Sequence, residues 1–308
     1  RLVEAERVLN DFVTKNSFNE TAYRVLLGVI EAQGEADRAH LKLTEIIESS
    51  PENNSNSLKF VLIERLLSKG KKQESLELLS QLMGNNEEGI SHRAKARRAE
   101  IHFKDNEIEQ GKQLIQDVLS TDSQNEPALL VRAYFSILQK NFDQSIQDLR
   151  VVLRNNPDSE VALMLLGRAY MLSGSEDLAD SNFKGVLRLN PGNLDAAIPV
   201  INKLISGGDL GRSEQVIQNA LRLKPNDPSL LTLLAQVRLM RRDYVGSQSV
   251  IDSMGDDEEN RAFRHFLSGK IFQSQEKYDL AMVRYEEALL VEPQFIRAME
   301  GYAQSMIA

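Results

Sequence analysis

Four prolines mark time along the chain. Pro157, Pro191, Pro225 and Pro293 are separated by 34, 34 and 68 residues, the last gap being two periods with Glu259 in the middle proline's place. A fixed period of this length is the mark of an array, in which each unit packs only on its neighbours and no central core is required. Between the first two prolines the chain reads Leu163-x-x-Leu166-Gly167-x-x-Tyr170, then Ala179-x-x-x-Phe183. Apolar residues three and four apart make one helix face, and the pattern occurs twice. Ser173-Gly174-Ser175 interrupts it as a tight turn would. Gly167 and Ala179 are small enough for two antiparallel helices to press together, with Tyr170 and Phe183 filling the space beside them. Pro191 ends the second helix, because it has no N–H to donate and disfavours helix in the residue before it.

The marks recur in step. The unit closed by Pro157 carries Ala133, Ser145, Leu149 and Val152, and the unit closed by Pro225 carries Val200, Ile201, Leu204, Ser213, Ile217 and Ala220. The unit from Pro228 has Leu231, Leu234, Ala235, Ser247 and Ile251; the one closed by Pro293 has Gly269, Phe272, Ala281, Tyr285 and Ala288. Towards the N-terminus the register continues through His92–Asn125 with Ala99, Gly111, Ile115 and Val118. With two residues inserted on each side it continues through Asn56–Gly89, with Leu62, Leu66, Ser75 and Leu79, and through Glu20–Asn53, with Gly34, Ala39, Leu43 and Pro51.

This spacing resembles the tetratricopeptide repeat. The resemblance implies an all-α, right-handed superhelical solenoid of antiparallel helix pairs. Residues 1–19, with Ala5, Leu9 and Phe12, fit the second helix of a truncated unit. Residues 20–125 form three less regular units and 126–295 five regular ones, expected to be the stiffer part. Residues 296–308, with Met299, Tyr302, Ala303 and Met306, fit a first helix without its mate. A chain that starts at Arg1 with incomplete units at both ends is expected to be a segment of a longer array.

The net charge is −8 at pH 7, which argues against broad nucleic-acid binding. Cysteine is absent, so disulfides and thiolate metal sites are excluded. No apolar run is long enough to span a membrane. The polar stretches Glu48–Ser57 and Gly84–Gly89 read as surface loops between units. Asp256-Asp257-Glu258-Glu259 lacks the alternating ligands and the glycine of a calcium loop and reads as a solvated turn before a helix.

No chemistry-bearing motif stands up. His40, His92, His102 and His265 include no i, i+4 pair, and His265 is expected as half-buried structure in the slot of Leu163. Gly207-Gly208-Asp209-Leu210-Gly211 follows a helix rather than a strand and lacks the Lys-Ser or Lys-Thr of a phosphate loop. The sequons at Asn19 and Asn53 are chance occurrences. No catalytic residue, cofactor or metal is expected, and the chain reads as no enzyme. The basic run His92-Arg93-Ala94-Lys95-Ala96-Arg97-Arg98 has two readings: a local anion-binding patch, or a frayed unit whose long side chains lie over the seam, which is the expectation.

In the family that the spacing resembles, first helices line the concave inner face. Removing the slots used between helices leaves Leu130 and Tyr134, then Met164, Arg168 and Met171, then Ile198 and Asn202, then Thr232 and Gln236, then Phe266 and Lys270 as inner-face candidates. Exposed apolar residues beside an Arg and a Tyr suit a partner site, although the same residues could pack on the neighbouring unit. The Lys, Asn and Arg set by which some such domains hold a C-terminal carboxylate is not evident, and of an inner asparagine ladder only Asn202 is present.

Three readings follow. The expected one is a scaffold that binds a protein or peptide partner in its groove and serves a bacterial multiprotein complex, such as one in the envelope or near polysaccharide export. A regulatory or targeting segment of a larger enzyme is the second. A structural homo-oligomer, packing weakly through its unfinished ends, is the third. The composition fits a periplasmic, envelope or cytoplasmic setting alike.

Overall fold

One residue per hairpin is held at positive φ, and its position repeats with the array. In the computed structural model, which describes residues 1–16, 18–51, 54–255 and 258–308, these residues are Gly34, Gly70, Asn106, Lys140, Gly174, Gly208, Arg242 and Glu276. From Asn106 onward they recur every 34 residues. Each closes the first helix of a pair with a left-handed cap, as where Ser175 N–H donates to the Tyr170 carbonyl at 2.8 Å.

The described residues form eighteen helices and no strand. A lone α1 (Leu2–Lys15) is followed by the pairs α2 (Glu20–Ala32) with α3 (Ala36–Ser49), α4 (Asn56–Ser68) with α5 (Lys72–Met83), α6 (Glu88–Lys104) with α7 (Ile108–Thr121), and α8 (Glu126–Leu138) with α9 (Phe142–Asn155). Then come α10 (Glu160–Leu172) with α11 (Glu176–Leu189), α12 (Leu194–Ser206) with α13 (Leu210–Leu223), α14 (Pro228–Met240) with α15 (Tyr244–Ser253), α16 (Glu258–Ser274) with α17 (Tyr278–Val291), and a last α18 (Ile296–Ile307). The register prolines each stand two residues past a second helix, where a missing N–H is harmless. Asn125, Ser159, Asn193 and Asp227 cap the following first helices, accepting from backbone N–H groups at 3.0–3.4 Å. All-α architecture with the hairpins in step with the prolines is therefore what the chain adopts.

First and second helices bury different amounts of themselves. α10 buries Ala162, Leu165, Leu166, Gly167, Ala169 and Tyr170, which spread around the helix because it is covered on more than one side. α11 buries only Ala179, Phe183 and Val186, a single stripe, and leaves its other face to water. Two compact units divide the chain, residues 1–152 and 153–308. In the first, apolar clusters succeed one another, centred on Leu26 and Leu43, on Ile63 and Leu79, and on Ala99 and Val118. In the second, one seam runs from Ala197 to Ala298.

Several details differ from the sequence-based expectation. α6 begins at Glu88, so the polar loop after α5 is shorter than Gly84–Gly89. α18 does not turn inward the residues that its own pattern suggested: Met299, Ala303 and Met306 are exposed, and Ala298, Gly301 and Ser305 are buried. The reason is steric. A Cβ on Gly301 would lie 2.5 Å from Cζ of Tyr285, so only the small-residue side can close on α17. Phe266, expected on the inner face, is 5% exposed; Phe295 stands 5.1 Å from it between ring centroids, and Phe263 5.6 Å. Neighbouring aromatic bulk covers that slot. Asn53, Asp256 and Asp257 lie outside the described residues.

The turn positions make a prediction. Lys140, Arg242 and Glu276 sit at φ near +60°, where an L side chain is strained and glycine is not. Lys140→Gly, Arg242→Gly and Glu276→Gly should each raise stability by up to about 1 kcal/mol, and Gly174→Ala should lower it by about the same. Urea unfolding midpoints at constant slope check both signs.

Candidate functional site

The inner-face slots continue into the N-terminal pairs. The positions equivalent to Leu130 and Tyr134 of α8 are Ala96 and Glu100 on α6, and Phe60 and Glu64 on α4. There the structure forms a recess of about 240 Å³ between α4, α6 and α8. Phe60, Ala96, Pro127, Leu130 and Val131 make it apolar on the floor and along α8; Glu64, Arg93, Arg97 and Glu100 frame it with charge.

The frame is held by ion pairs that cross between helices. Glu20 Oε1 accepts from Arg24 Nη2 and from Arg93 Nη2, both at 2.6 Å, and Glu20 Oε2 accepts from Arg93 Nη1 at 2.7 Å. Arg24 forks onto Glu64, with Nη2 to Oε1 at 2.8 Å and Nη1 to Oε2. One network thus ties α2, α4 and α6 along their first-helix faces. The Arg93 guanidinium lies 4.0 Å above the Phe60 ring centroid, an arrangement the ring's negative face favours. Burial pushes the Glu20 carboxyl up, but the hydrogen bonds and charges of Arg93 and Arg24 outweigh it and hold the group below the usual carboxylate range. Glu100 behaves the same way: burial raises it, and Lys104 and Arg97 bring it below normal. Arg97 bonds Glu100 through Nη1, while its Nε is buried without a hydrogen-bond partner.

The basic run on α6 is therefore not frayed. Buried Ala94, Ala96 and Ala99 seat the helix, and the long cations reach outward to fixed partners. Lys95 Nζ meets Asp117 Oδ2 of α7 at 2.5 Å, and Arg98 Nη1 donates to Ser80 Oγ of α5 at 2.7 Å. His265 is half-buried, as expected, and in addition pairs with Glu287 at 2.9 Å.

The remaining candidates divide between the two units. In residues 1–152, Leu130 is half-buried on the recess wall and Tyr134, one turn further along α8, is 39% exposed. In residues 153–308, Met171 and Asn202 are exposed, and Met164, Arg168, Ile198, Thr232 and Gln236 are half-buried. Arg168 Nη2 pairs with Asp195 Oδ2 at 3.2 Å, which links α10 to α12. Phe60, Glu64 and Glu100 were not among the candidates, and Arg93 and Arg97 entered only through the basic run, for which an anion-binding patch was the less favoured reading. The slot rule reaches Glu100 one period before Tyr134, and Phe60 and Glu64 once it is carried past the two-residue insertion before His92.

Among the described residues no cluster of three or more His, Asp or Glu could hold a metal ion, and no helix is long and apolar enough to cross a membrane.

No protein-family model and no curated protein sequence matches the chain. Solved structures do. A chain of an APC/C hetero-tetramer aligns over 98% of this chain and 59% of its own length, with 16% identity and a TM-score of 0.54. The Pseudomonas aeruginosa pilF structure aligns over 70% of this chain and 99% of its own, with 16% identity and a TM-score of 0.53. YrrB, described as a TPR protein with an unusual peptide-binding site, aligns over 60% of this chain and 96% of its own, with 13% identity and a TM-score of 0.52. At these identities the likeness is one of fold.

Proposed function

We propose, from the premise that this chain has the tetratricopeptide-repeat fold, that it is a non-catalytic scaffold which takes a partner peptide or helix on its first-helix face. Within residues 1–152 the place occupied is the recess between α4, α6 and α8. The observation that carries this reading is an apolar floor framed by charges that are already fixed. A partner that meets Arg93 and Glu64 does not have to order them first, so less of its interaction energy is lost to side-chain entropy. The matching partner segment is amphipathic. Its apolar side chain seats against Leu130 and Val131 over the floor of Phe60 and Ala96, and its polar groups meet the charged rim of α4 and α6. Met164, Arg168, Met171, Ile198, Asn202, Thr232 and Gln236 form the corresponding row in residues 153–308, with Met side chains able to adapt to varied partners. A role in assembling a multiprotein complex follows from such a surface.

The test is a peptide-display selection on the intact chain, followed by titration of the selected peptides. Leu130→Asp places a charge on the apolar wall and should weaken them at least ~30-fold with unchanged helicity. Leu290→Asp, at a site 83% exposed on the second helix α17, is the control and should bind normally. Selected peptides indifferent to Leu130→Asp would falsify the reading.

A further inference from the structure

The Arg93 guanidinium is fixed on several sides. Its Nη1 and Nη2 both donate to Glu20, at 2.7 and 2.6 Å, so the carboxylate closes one edge of the plane. One face lies on the Phe60 ring, 4.0 Å from the centroid, and Phe60 is 3% exposed beneath it. Arg93 itself is not closed off: 35% of the side chain stays open. With one face on a ring and the Nη edge on a carboxylate, the broad surface left is the face turned away from Phe60. Arg93 lines the recess, and Pro127, Leu130 and Val131 of α8 line it too. At about 240 Å³ the recess is smaller than a pocket for a whole small molecule and suits one large side chain.

We propose that the partner segment is anchored by an aromatic side chain, tryptophan above all, stacked on the open face of Arg93. This rests on the scaffold reading and names the chemistry that its recess selects. The stack is ring, guanidinium, ring, with Phe60 beneath and the partner above. A guanidinium has two equivalent faces, and the one on Phe60 already lies over a π-cloud. The bonds to Glu20 run along the plane and leave the faces clear. They also hold the plane before the partner arrives, so little side-chain entropy is lost on stacking. An aliphatic anchor gains only the area it buries against Leu130 and Val131. An aromatic anchor gains that area and the attraction between its negative face and the cation. Among aromatic side chains indole gives the strongest such attraction, and its N–H is a donor for which Glu64 and Glu100 on the rim are acceptors.

The intact chain is titrated with neutral probes, the N-acetyl amides of tryptophan, phenylalanine, cyclohexylalanine and leucine, read by amide shifts. The chain has no tryptophan, so the indole emission of the first probe gives a second reading. The tryptophan probe should saturate with a Kd below about 5 mM and shift residues 60–64, 93–100 and 127–131. The phenylalanine probe should bind at least ~3-fold tighter than the cyclohexylalanine probe, which has its shape without the π-system. Arg93→Gln should weaken the tryptophan probe about tenfold and abolish the preference for phenylalanine over cyclohexylalanine. Circular dichroism confirms that the variant is folded; should it unfold, the phenylalanine and cyclohexylalanine probes on the unaltered chain decide. Cyclohexylalanine or leucine binding as tightly as phenylalanine, no saturation by tryptophan at about 20 mM, or shifts away from the recess would overturn the proposal. The scaffold reading fails on a different result, display-selected peptides indifferent to Leu130→Asp. Selected peptides that need Leu130 but carry no aromatic residue would overturn the aromatic anchor and leave the scaffold standing.

Discussion

Tyr285→Ala should destabilise residues 153–308 by about 3–5 kcal/mol. The side chain is fully buried, and two glycines on different helices leave room for it. A Cβ at Gly269 of α16 would lie 2.6 Å from its Cε1, and one at Gly301 of α18 would lie 2.5 Å from its Cζ. The cavity left between the two glycines adds to the lost transfer free energy. The hydroxyl donates to Gln273 Oε1 at 2.9 Å, so Tyr285→Phe separates the two contributions and should cost only about 1 kcal/mol. Burial pushes the phenol well above the ordinary tyrosine range. Its folded value lies above its unfolded value, near 10, so its share of stability is intact below about pH 10 and is lost as pH rises beyond that. Thermal melts from pH 8 to 11 should show an alkaline loss that Tyr285→Phe reduces, and Tyr285→Phe should remove part of the phenolate absorbance that appears only on unfolding.

Gly167→Leu is the second large effect, and it depends on one partner. A Cβ at Gly167 would meet Phe183 at 2.7 Å from Cε1 and 2.8 Å from Cδ1. Phe183 is 2% exposed and has nowhere to retreat. Overpacking here should cost about 2–3 kcal/mol even though leucine is the better helix former. Phe183→Ala alone should cost about 3–5 kcal/mol. Together the two should cost less than their sum by about 1–3 kcal/mol, because the new side chain enters the space the ring vacates. Additive losses in a double-mutant cycle would show that Gly167 is needed for backbone reasons and not to make room for Phe183.

These two residues show how far local pattern carries. Gly167 and Ala179 were readable as the small residues of a close approach with Phe183 beside them; that the Phe183 ring itself occupies the space over Gly167 came from the structure. Tyr285 was readable as a buried slot. Its contact with Gly301 was not, because α18 had to rotate to bring its small-residue face onto the ring. The Glu20–Arg93 link joins residues far apart in the chain, with a whole helix pair between them.

The amino-acid sequence by itself determined the helix pairs, their period and the places where they turn. Caps, left-handed turn residues, apolar stripes and terminating prolines act within one or two helical turns, so each unit contains its own instructions. Tertiary structure decided which side chains remain open to a guest. Exposure depends on the bulk that neighbouring helices supply, and that is why Phe266 disappears beneath Phe263 and Phe295 while Leu130 stays on the wall of a recess. It also decided the charges, since an arginine's role is set by the carboxylate that folding brings within reach.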